Sequence, residues 1–229
     1  MVFSKPSALF PALTGKIDWL VPLIIVAVIG GVLREATLSI SVRDLGAKVV
    51  ERIERYKDQM PAERYDEIMS QVEEQFESAK EFKWYNPLLY VGFPLVFFLV
   101  ISGVCIACGN FFFGGKSNFW IVMNVVGYAA LIGLLGDVVR GLMMLAKDSY
   151  FVYTGLGLLK PFDDGSFIYY LFRQVDIFSV WRIAGTAIGL GVIYKMKLNK
   201  FAYVLFGIWL VFIVIVAVLN MFTGGSIVY

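Results

Sequence analysis

The sequence predicts an all-α integral membrane protein: a bundle of five transmembrane helices with a polar helical insert between the first and second spans. Three observations carry this. Hydrophobic residues make up 59% of the 229 residues and charged residues 17%, against roughly 45–50% and ~25% in soluble domains. A globule of this size has too little interior to hide so much apolar surface, so the surplus faces lipid. A bilayer-crossing helix needs roughly 20 apolar residues, and five stretches supply them: 17–33, 88–109, 119–145, 177–194 and 201–223.

Residues 1–16 come first, with Phe3, Leu9, Phe10 and Leu13 set among Lys, Ser and Pro. They read as an interfacial segment in the headgroups, and Trp19 as an aromatic belt residue at the membrane boundary. The first span, 17–33, has a basic approach but no Ala-x-Ala cleavage site after it, so it is expected to stay in place.

The polar insert, 34–86, holds nine Lys/Arg and twelve Asp/Glu, a net charge of −3. Pro61 divides it. Upstream, Val49, Val50, Ile53 and Tyr56 recur at helical spacing. Downstream, Pro61 suits a first helical turn, and Tyr65, Met69, Val72, Phe76 and Ala79 form an amphipathic stripe. The expectation is a helical hairpin or two short helices, with the Val72 and Phe76 face covered by protein or membrane.

Residues 87–229 hold spans two to five. Cys105 and Cys108 have the CxxC spacing but lie inside the second span with no third ligand or base near them in sequence. They read as small packing residues, their thiols kept protonated by the low dielectric. Asn124 in the third span is a polar group in hydrocarbon and is expected to hydrogen-bond a neighbouring helix. Small residues collect on the third span (Gly127, Gly133, Gly136) and on the fourth, where Gly185 and Gly189 form a GxxxG. They let backbones approach closely, for packing within the chain or between copies in a homo-oligomer.

Between the third and fourth spans, 147–176 is rich in aromatics (Tyr150, Phe151, Tyr153, Tyr169, Tyr170), as an interfacial or re-entrant segment is. Asp163-Asp164-Gly165 has turn chemistry. Gly155-Leu-Gly157 is only a fragment of a nucleotide-loop pattern, since no strand precedes it and the third glycine is missing.

Charges inside spans are expensive and mark pairing or function. The candidates are Asp137 and Arg140 near the end of the third span and Asp176 and Arg182 at the start of the fourth. Antiparallel geometry puts them at one depth. Arg182 is expected to pair with Asp137, directly or through water, with Asp176 as the alternative and Arg140 competing or turning to the headgroups.

The chain has no histidine and two cysteines. That excludes Ser-His-Asp and Cys-His catalysis and histidine metal sites. No enzyme activity, metal or cofactor is expected, and no basic tract interleaved with aromatics suggests nucleic acid. Membrane lipids are the expected partners, with an unknown protein partner through the 34–86 insert. The short segments on the N-terminal side carry Lys5, Lys16, Lys116, Lys195, Lys197 and Lys200 without an acid. By the positive-inside rule the N-terminus is cytoplasmic and the C-terminus outside the cell membrane.

Pro6-Ser-Ala-Leu-Phe10, then Trp19-Leu-Val-Pro22-Leu, then the charged helical insert with Met60-Pro-Ala-Glu-Arg-Tyr-Asp-Glu-Ile-Met69, then Val175-Asp176-Ile-Phe178-Ser179-Val-Trp181 leading into Gly185–Gly191: this layout resembles prokaryotic members of the Yip family, the Ypt/Rab-interacting multispanning proteins. The resemblance implies a five-span helical domain, an N-terminus in the cytoplasm and no enzyme activity. The vesicle-traffic role of eukaryotic relatives is not carried over, because prokaryotes lack prenylated Rabs. Two functions follow as expectations: a non-enzymatic membrane scaffold, adaptor or organiser, or a small transporter, channel or lipid-moving protein using Asp137, Arg140 and Arg182. A water-filled cavity reaching Arg182 separates the second from the first.

Overall fold

A computed structural model describes residues 2–3, 6–13, 15–160 and 166–223. The described residues form helices and turns without a strand: α1 (Pro6–Leu13), α2 (Leu20–Arg55), α3 (Ala62–Lys80), α4 (Asn86–Ile106), α5 (Phe119–Lys147), α6 (Phe167–Arg173), α7 (Ile177–Tyr194) and α8 (Leu198–Thr223). Five of them, α2, α4, α5, α7 and α8, are long and apolar enough to cross a membrane. The Asp163-Asp164-Gly165 turn, Lys5 and the tail after Thr223 lie outside the described residues.

The caps are written in the local sequence. Asn118 accepts the Trp120 N–H at 2.8 Å to open α5, and Ser166 accepts from Tyr169 at the start of α6. Asp148 and Lys195 close α5 and α7 in left-handed conformations, with φ of 47° and 53°. The second span ends in a π turn over Ala107–Phe112, where Asn110 ties itself to Ser117 and accepts the Tyr194 hydroxyl at 2.8 Å. Gly109 and Gly115 are bare because the Tyr194 ring occupies the space a Cβ would need.

α5 is the central helix. Of its apolar window 61% is buried inside the protein, against 17% for α8. It packs on α2, α4 and α7, while α8 lies outside against α7 and α6. The α5–α7 seam is antiparallel and built on the four glycines singled out above. Gly136 receives Phe178, Gly133 receives Arg182, Gly185 receives Ile132 and Gly189 receives Val125. These small residues therefore serve packing within the chain. Gly127 takes Pro22 of α2 and Phe98 of α4 together, so three helices cross at one bare Cα. Cys105 and Cys108 are both free and buried, as packing residues are.

Two placements differ from the expected ones. The helix that carries the first span does not end near Leu33. Its helix runs unbroken through 36 residues to Arg55, about 54 Å at 1.5 Å per residue, so the insert begins as its projecting continuation. Nothing between Leu33 and Tyr56 stops it: Thr37 and Ser41 return their hydroxyls to the carbonyls of Leu33 and Thr37 at 2.8 and 2.9 Å. After a short turn α3 folds back onto this arm. Tyr65, Met69, Val72 and Phe76 are half-buried while Ala79 is exposed, and Phe76 lies on Gly46. The insert is thus helical on both sides of Pro61 with its apolar stripe partly covered, and Lys48, Glu51 and Arg55 link along the arm.

The lead segment is the second difference. It packs against the bundle, running alongside α7 in the same direction. Phe3 meets Trp181 edge-on at 6.1 Å, and Phe10, fully buried, lies against Gly189. Asn124 explains how it is held. Its amide donates to the carbonyls of Leu13 and Lys16 at 3.2 and 2.6 Å and its oxygen accepts the Asp18 N–H at 2.9 Å. The partners of this buried polar group are the last carbonyl of the neighbouring helix α1 and the backbone of the link into α2. Tyr128 adds a bond to Asp18 at 2.6 Å, and Trp19 stacks on Trp120.

Candidate functional site

The intramembrane charges gather at the end of the bundle from which the arm projects. Asp176 caps α7. One carboxylate oxygen accepts the N–H groups of Phe178 and Ser179 at 2.7 and 3.0 Å, and the other accepts the Ser179 hydroxyl at 2.5 Å. This accounts for the Asp-x-Phe-Ser-x-Trp segment in physical terms: the acid caps, the serine locks the acid, Phe178 fills Gly136 and Trp181 meets Phe3. A carboxylate so committed is not free to serve Arg182.

Arg182 lies between α4 and α5. Its guanidinium is 5.4 Å from the centre of the Phe97 ring, and its Cδ is 3.2 Å from where a Cβ of Gly133 would stand. Asp137, one turn further along α5, is exposed on the flank of the bundle. It is within electrostatic reach of Arg182, Arg140 and Asp176, but among the described residues it forms no ion pair within 4 Å. Of the two expected forms of the pair, direct or through water, the direct contact is not formed; Asp137 acts on Arg182 through space, and the aromatic face and the glycine gap receive the cation. Arg140 lies 5.0 Å from the centre of the Tyr150 ring.

Tyr150 organises a second set of residues. Arg173 lies 5.6 Å from its ring centre and donates to its hydroxyl at 2.7 Å. The Tyr150 N–H donates to Asp44 at 2.7 Å, and Arg43 binds Asp44 and both the carboxylate and the carbonyl of Asp148. These bonds clamp the root of the arm to the end of α5. Burial alone would raise the Asp44 carboxyl, but the Tyr150 N–H and Arg43 together hold it below its ordinary value. Tyr153 and Tyr169 share a hydroxyl–hydroxyl bond of 2.5 Å, and burial pushes the Tyr169 phenol up. Gly155 touches the backbone at Val175 and Asp176, which ties the loop to the start of α7.

Sequence reasoning singled out Asp137, Arg140, Asp176 and Arg182 and missed Arg43, Asp44 and Arg173 as members of the same assembly. The one signal for them was the density of aromatics in 147–176, which offers cations ring faces.

Surface cavities among the described residues include a groove and a smaller hollow. A groove of about 440 Å³ between α2 and α4 is lined by Ala27, Gly31, Val32, Glu35, Tyr90 and Val91 among others, with Tyr90 donating to Glu35 at one end. A smaller hollow of about 150 Å³ borders Gly15, Lys16 and Asn118. Neither reaches Arg182. Among the described residues no group of His, Cys, Asp and Glu is placed to hold a metal ion. No family model, no curated protein and no solved structure matches the chain.

Proposed function

We propose that this is a non-enzymatic membrane scaffold of the Yip type, a five-span bundle that presents the α2–α3 arm to a protein partner outside the bilayer. The observation that carries the reading is the filling around Arg182. Phe97, Gly133 and the glycine seam occupy the region where a transport path through α5 and α7 would need water. The clamp of Arg43 on Asp148 supports it further, because it fixes the arm to the bundle as a display element needs. The arm is placed outside the cell membrane and the N-terminus in the cytoplasm, on the strength of the lysine-only segments around Lys116 and Lys195–Lys200.

Purified protein reconstituted in liposomes tests the function: no flux of dye, ions or lipid above empty vesicles is expected, and clear flux that Asp137→Asn or Arg182→Gln abolishes overturns it. A cysteine at Ser70, in a background lacking Cys105 and Cys108, tests the orientation. An impermeant probe should label it in intact cells, and labelling only after the inner leaflet is breached reverses the topology. A second reading, a lipid-moving protein, draws on the exposure of Asp137 on the flank of α5. It is separated from the first by the lipid arm of the same liposome assay.

A further inference from the structure

We propose that Arg140 and Arg173, gathered on Tyr150, form a binding site for the phosphate group of an anionic phospholipid at the end of the bundle that carries the arm. This goes beyond the scaffold reading and does not depend on it.

The two guanidinium carbons lie 5.0 and 5.6 Å from one ring centre. Neither cation has a carboxylate within 4 Å among the described residues. The neighbouring acids are already engaged: Asp44 with the Tyr150 N–H and Arg43, Asp148 with Arg43, and Asp176 with the start of α7. Asp137 acts on Arg140 only through space. Arg173 spends one donor on the Tyr150 hydroxyl. Arg140 spends none there, and its Nε and Nη2 are buried without a hydrogen-bond partner. A charged donor in that state is costly unless an acceptor completes it.

The place selects the acceptor. Arg140 stands seven residues before the end of α5 at Lys147, about 10 Å at 1.5 Å per residue. The arginine stem covers part of that depth and brings its fork onto Tyr150, in the loop that follows α5. Two guanidinium forks match the oxygens of a phosphate better than a single carboxylate, and the paired positive charge favours a headgroup without its own cation. Tyr150 holds both forks at one spot by its ring face and hydroxyl.

The test uses the full-length protein, purified in detergent and stripped of lipid. Thermal unfolding is followed with phosphatidic acid, phosphatidylcholine or inorganic phosphate added, and retained lipid is counted by native mass spectrometry. Phosphatidic acid should raise Tm more than phosphatidylcholine does. Arg140→Gln and Arg173→Gln should each remove most of that difference and lower anionic-lipid retention about tenfold, while Arg64→Gln on α3 leaves both unchanged. Arg140→Lys keeps a charge but loses the fork, and should retain part of the preference even if the glutamine variant folds poorly. A shift from inorganic phosphate alone, lost in the same variants, supports the phosphate site and assigns it to the free ion. Equal shifts from both lipids, or a preference that survives both glutamine variants, overturns the proposal.

Discussion

Arg182 crosses α5 at Gly133, where a Cβ would meet its Cδ at 3.2 Å and its Nη1 at 3.3 Å. The cation thus depends on a missing side chain on the opposite helix. Gly133→Leu should force it off the Phe97 face and cost about 1–3 kcal/mol by overpacking. Gly30→Leu on α2, where a Cβ meets nothing within 4 Å, should change stability by less than about 0.5 kcal/mol. Thermal unfolding of the two variants in one detergent makes the comparison.

Asp137 and Arg182 interact without touching, so their coupling is weak. A double-mutant cycle with Asp137→Leu and Arg182→Leu should return less than about 1 kcal/mol, far from the 3–5 kcal/mol lost on breaking a buried contact pair. A coupling in that upper range would show that the carboxylate and guanidinium meet directly in the membrane.

Asn124 holds the link between α1 and α2 by three bonds. Asn124→Leu keeps the volume and deletes them, leaving the Lys16 carbonyl and the Asp18 N–H without this partner, at a cost of about 1 kcal/mol or more. Hydrogen exchange at residues 15–18 and the fluorescence of Trp19, stacked on Trp120, should both report a loosened link. Unchanged protection there would mean that Phe10 and Leu13 suffice to hold the lead in place.

The Asp44 carboxyl is held below its ordinary value, so it stabilises the arm's root wherever the unfolded carboxyl is also ionised. That contribution is complete above the unfolded pKa of about 3.9 and is lost as pH falls through the lower, folded pKa. Asp44→Asn should therefore lower stability at neutral pH, and the gap to the parent protein should close below about pH 4. A gap that widens in acid would reverse the sign.

Span positions were legible because an apolar run of bilayer length has one physical solution. The α3 stripe was legible because Tyr65, Met69, Val72 and Phe76 repeat with the helical period. The depth of α1 was not: Phe10 in an interfacial helix and Phe10 in a core present the same spacing, and what decides is Gly189, far away in sequence. The Tyr150 assembly was hidden for a similar reason. Arg43 and Asp148 are 105 residues apart, and nothing local in either marks the other. The charges at Asp137 and Arg182 were found by their cost in lipid, yet that cost does not say whether a carboxylate or an aromatic ring relieves it.

The docking of the lead has a consequence for how the molecule is made. Phe3 and Phe10 come before all five spans in the chain, but the surface that receives Phe10 is assembled from Val125 of α5 and Gly189 of α7, more than a hundred residues later. Through the insertion of α2, α4 and α5, Phe3 and Phe10 have no seat. Until α7 enters, both rings lack their seats on Trp181 and Gly189, so closing the lead over α7 is a late step of assembly although its residues precede α2.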